Sequence, residues 1–67
     1  MELTKIEQNE IVKSNLKQLE IAAYGATIRY RVAQKVDDKP AIEQEKTYLE
    51  KLEKMKMEYE LIIKELS

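Results

Sequence analysis

The chain has no cysteine and no histidine, and its 67 residues include one glycine and one proline. Tryptophan and phenylalanine are missing too. Each absence removes a class of function. Without Cys no disulfide can staple the fold, and thiol chemistry is excluded. Without Cys and His the common structural zinc sites have no ligands, and the usual general base near neutral pH is lacking. A single glycine cannot build a phosphate-cradling loop. Ser14 and Thr27 have no base set beside them by any motif. A di-metal bundle site wants inward glutamates with Glu-x-x-His pairs, whereas the glutamates here fall mainly on wet helix faces. The sequence therefore reads as non-enzymatic, with no catalytic residues, no cofactor and no metal.

Charge of one sign is also lacking. Twelve basic and 13 acidic residues are interspersed, leaving a formal net charge of −1. A strongly basic phosphate-binding surface is not indicated, and neither is the acidic excess of a DNA mimic. No apolar run resembles a signal peptide or a membrane span. The expectation is a cytoplasmic chain with no membrane partner.

What is present is helix-forming. Glu, Lys, Leu, Ile and Ala dominate, and the apolar residues recur with clean periodicity, which argues against disorder. The one strong break is Asp37-Asp38-Lys39-Pro40, since proline suits the first turn of a helix and restricts the residue before it. This predicts one domain over 1–67, with a first helix over about 4–36, a turn at 37–40 and a second helix over about 40–66. Asp38 or Lys39 is the expected cap of the second helix, with Glu43 and Glu45 near its positive end. Thr4 and Glu7 have the spacing of a capping box. For residues 1–10 the expectation is that Leu3 and Ile6 pack on a second subunit, the alternative being an arm that frays or docks.

The second helix carries a heptad seam, Tyr48, Leu52, Met55, Tyr59, Ile62 and Leu66, widened by Ile42, Leu49 and Ile63. The first helix carries a matching seam, Val12, Leu16, Leu19, Ala23, Ala26, Tyr30 and Ala33. A short connection makes the helices antiparallel neighbours. Folding the seams together sets Leu19 against Tyr59, Ala23 against Met55 and Ala26 against Leu52, small facing large. Met55 is expected in the core. About ten residues of the first helix, with Leu3 and Ile6, should overhang. The fold class is all-α, an antiparallel two-helix hairpin expected to assemble as a homodimeric four-helix bundle, because so short a chain has little core of its own.

The first helix has a second seam. Ile21, Gly25, Ile28 and Val32 recur at steps of four, three and four, with Tyr24 beside them. At 100° per residue they point roughly opposite to the first seam, so the second helix cannot cover both. A contiguous exposed apolar patch is usually an interaction site. Gly25 costs about 0.5–1 kcal/mol relative to alanine inside a helix, and with Ala22, Ala23 and Ala26 it makes a narrow surface that another backbone can approach. Ile21, Tyr24, Gly25, Ile28 and Val32 are therefore the candidate protein interface. The expected occupant is a second copy, with a different protein as the other possibility.

Arg29, Arg31, Lys35 and Lys39 form the densest positive cluster. They are candidates for nucleic-acid contact, weighed against pairing with glutamates at the rim of an interface. Met57 and Leu61 point to the outer side of the second helix, where lone apolar residues are normal; a minor docking point is the alternative reading. In layout, though in no motif, the hairpin resembles plasmid copy-control RNA-binding proteins and the small phosphatase-regulating hairpins of sporulating bacteria, and a layout does not license a function. The expectation is a small protein-binding adaptor, regulator or inhibitor. The alternatives are an RNA-binding hairpin dimer and a structural component of a larger assembly, such as a phage particle.

Overall fold

Two helices account for nearly all of the chain. The computed structural model describes residues 2–67, with α1 at Lys5–Lys35 and α2 at Lys39–Leu66, packed against each other. The start of α1 is set by a complete capping box. The Glu7 amide donates to Thr4 Oγ1 (3.1 Å), and the Thr4 amide donates to Glu7 Oε1 (3.0 Å). Two of the donors that every helix start leaves unpaired are thereby satisfied. Hydrogen bonds from Thr4, its backbone amide foremost and then its side chain, hold the Glu7 carboxyl below its ordinary pKa.

The turn is tighter than its sequence suggests. Asp37 adopts a left-handed conformation, with φ 56°. The Asp38 amide donates to the Ala33 carbonyl (2.9 Å) and the Asp37 amide to the Gln34 carbonyl (3.3 Å). These are the two bonds of a Schellman ending, with aspartate where glycine is usual. Asp38 then caps α2 directly, its side chain accepting from the Ala41 amide (3.2 Å). The cap at Asp38 puts Pro40 at the second helical position. It also moves Glu43 and Glu45 beyond the first turn, which holds no acidic residue. The expected helix-dipole role of those two glutamates is therefore withdrawn, because that effect fades within one turn.

The core is small and lies along the α1–α2 seam. Leu19, Ala26, Ala33 and Leu52 are its buried apolar residues, and among the described residues no polar one is buried beside them. Two of the four are alanines, which bring the helices close but contribute little buried area. Leu19 and Leu52 both line the open grooves on the two edges of the seam, so they mark its centre. Tyr30, Tyr48, Tyr59, Ile62, Ile63 and Leu66 are half-buried.

Two packing expectations change. Met55 is 37% exposed, not buried. It sits about 60° around α2 from Leu52, at the margin of the covered face, where it lines an open groove with Tyr59 and Ile62. The overhang of α1 is also shorter than ten residues. Gln8 and Asn9 are already half-buried, and Gln8 Nε2 donates to the Leu3 carbonyl (2.9 Å). Leu3 and Ile6 remain exposed ahead of that point.

The molecule measures 50 × 18 × 15 Å, with a radius of gyration of 15.5 Å. A compact chain of 67 residues has a radius near 11 Å. Its accessible surface is 5687 Å² for 7.9 kDa, against about 4,400 Å² for a typical folded monomer of that mass. A single hairpin therefore leaves an unusual amount of surface in water.

Candidate helix-association site

The largest run of uncovered apolar side chains lies on α1. Ile21 is 58% exposed, Tyr24 71%, Ile28 47% and Val32 56%. They lie on the face turned away from the seam, since Leu19, Ala26 and Ala33 take the opposite side. The run covers about three helical turns, roughly 16 Å, and Val36 extends it at the turn end as another exposed apolar residue. The structure thus brings all five candidate interface residues onto one face of one rigid helix.

Gly25 is half-buried at the centre of this run. A Cβ built there would meet only the Arg29 Nη1, at 3.4 Å, an ordinary contact. No atom of α2 approaches closely. Packing inside the hairpin therefore does not require glycine at this position.

The basic cluster does not stay together. Arg29 turns toward α2, where its Nε donates to Glu45 Oε1 (2.8 Å) and Oε2 (3.0 Å). Glu45 is the better shielded of the two. The hydrogen bond to Glu45 is the main cause that raises the Arg29 pKa, opposed by desolvation. Arg31 lies about 160° around α1 from Arg29. It stands exposed with Lys35 along one margin of the apolar run, while Lys39 opens α2 beyond the turn. Arg29, Arg31, Lys35 and Lys39 thus form no single surface.

No protein-family model, curated protein or solved structure matches the chain. The site has to be read from its own geometry.

Sequence reasoning missed one feature of this margin. Lys13 and Lys17 project on the same side of α1 as Arg31 and Lys35, with Tyr24 between them, and all five are exposed. The helical angles held that signal, but closeness in sequence drew Arg29 into the group instead. Among the described residues no three acidic side chains gather as a metal site would need, and no helix is long and apolar enough to cross a membrane.

Proposed function

We propose that the hairpin works by helix–helix association through the exposed face of α1, as a small protein-binding adaptor, regulator or inhibitor with no chemistry of its own. Its first partner in this reading is a second copy, giving a four-helix bundle with the two α1 helices inside and the two α2 helices outside. The observation that carries the proposal is the exposure of Ile21, Tyr24, Ile28 and Val32 on a hairpin with four buried apolar residues among those described. The excess surface noted above is on the order of 1,300 Å². Specific protein interfaces bury about 1,200–2,000 Å² in total, roughly 600–1,000 Å² on each partner, so one such contact would remove about half or more of each chain's excess.

The RNA-binding alternative is weaker, because Arg29 is engaged by Glu45 and Lys39 lies across the turn from Arg31 and Lys35. A bare phosphate site would hold its guanidinium groups free and aligned.

The test is the native mass by light scattering over a dilution series from roughly 1 mM to 1 µM, the range over which a modest helix pair dissociates. The expected result is a dimer at the upper end that gives way to monomer on dilution. Ile28→Asp should be monomeric throughout and Glu53→Lys, on the wet face of α2, should behave as wild type. An Ile28→Asp protein that keeps wild-type mass and helicity would remove the α1 face from the account.

A further inference from the structure

The apolar run on α1 has a property beyond being exposed. Its steps of four, three and four read the same in either direction. A second α1 laid antiparallel across it can therefore match all four positions at once. Ile21 falls opposite the partner's Val32, and Gly25 falls opposite the partner's Ile28, each pair occurring twice about a two-fold axis. Sliding the pairing by one heptad keeps only two of the four positions and sets the rest against polar residues such as Gln18 and Lys35.

Resting on the association proposed above, we infer that the exposed face receives a second copy of itself running antiparallel, with Ile28 of each α1 seated over the partner's Gly25. Three observations support this geometry. The space over Gly25 is unused by α2, since an added Cβ meets only the end of Arg29. The antiparallel pairing fills that space with Ile28, an exposed large side chain. A parallel pairing in register would instead put glycine on glycine and leave a gap.

Charge selects the same direction. In the parallel arrangement Lys35 meets the partner's Lys35 on the contact line, and like charges so placed repel. In the antiparallel one Lys35 falls opposite the partner's Gln18. Lys17 comes to the partner's turn, where Asp37 and Asp38 lie, and Tyr24 flanks the partner's Arg31, an arrangement suited to a cation over an aromatic face. Both Tyr24 and Arg31 are exposed and free to meet a partner. Two-fold closure also makes the contact self-limiting: each face is used once, and a filament does not grow.

The chain has no native cysteine, so introduced thiols are its only ones. Two variants, Ile21→Cys and Val32→Cys, are prepared singly, one with an affinity tag, and oxidised mildly alone and mixed. In the proposed register the two Ile21 positions lie about 16 Å apart along the axis. A disulfide needs Cα atoms within about 7 Å. The mixture should therefore form the mixed disulfide at least about tenfold faster than either variant links to itself. Gln18→Cys with Lys35→Cys tests the next layer of the same register without touching the apolar run, and should behave likewise. Far-UV circular dichroism of the reduced variants checks that each is folded.

Self-linking of each single variant, with no gain on mixing, would overturn the antiparallel geometry in favour of a parallel one. A wild-type dimer with no linking from either pair would overturn the register while leaving association through another surface. A wild type that stays monomeric up to about 1 mM would sink the association itself, and the inference with it.

Discussion

Gly25→Ala should move two measurements in opposite directions. Within the isolated hairpin the change is favourable. The new Cβ meets only the Arg29 Nη1 at 3.4 Å, so nothing has to shift, and alanine in a helix interior is better than glycine by about 0.5–1 kcal/mol. For a domain of this size each kcal/mol moves the unfolding midpoint by about 4–8 °C, so Tm should rise by about 2–8 °C. In the dimer the same methyl group occupies the space proposed for the partner's Ile28. Overpacking costs about 1–3 kcal/mol per site, and a two-fold contact contains the site twice. A loss of about 2 kcal/mol or more means a dimer Kd weaker by about 30-fold or more. Thermal unfolding followed by circular dichroism, at a concentration low enough for monomer, reads the first effect. Sedimentation equilibrium reads the second. If Tm rises while Kd is unchanged or tighter, Gly25 is not at the contact and the seating of Ile28 over it is wrong. If Tm falls, α2 or Arg29 crowds the position more than the 3.4 Å approach implies.

Further perturbations probe the fold. Leu52, 5% exposed, is the one buried residue of α2. Leu52→Ala should cost about 2–5 kcal/mol, enough to unfold a hairpin of marginal stability, while Met55→Ala at the groove margin should cost about 1 kcal/mol; far-UV circular dichroism against urea separates the two. Thr4→Ala should remove about 0.5–2 kcal/mol of cap stability, and because Leu3 and Ile6 are uncovered, the loss should appear as faster amide exchange in the first turns of α1 and not as a lower global Tm. The same cap is pH-sensitive: the folded Glu7 carboxyl is held below its ordinary 4.5, so its contribution is present above that value and is lost as pH falls through the folded pKa. Exchange protection of the Thr4 amide should drop over that window, and Glu7→Gln, which has no carboxyl to protonate, should flatten the drop. Asp37→Gly should stabilise the hairpin by up to about 1 kcal/mol, since residue 37 is left-handed at φ 56° and glycine reaches that conformation without steric cost; a fall in Tm would mean that the aspartate side chain holds the turn by more than its backbone.

Local chemistry made much of this protein readable in advance. Helical period, the Thr4–Glu7 spacing and the Asp-Asp-Lys-Pro break involve residues within a few positions of one another, and they resolve two helices, a start and a turn. The same period separates two apolar faces on α1, so Ile21, Ile28 and Val32 stand out as surplus to a two-helix seam without any structure. What required the tertiary structure were quantities that depend on how the two helices meet. The left-handed Asp37 closes the turn within three residues. The position of the seam on α2 leaves Met55 at its margin. The approach of Glu45 draws Arg29 out of a basic cluster that exists only along the chain. Gly25 shows the division most plainly: its presence in a helix is visible in the sequence, but that α2 makes no use of the space above it is a fact of packing between residues far apart in the chain.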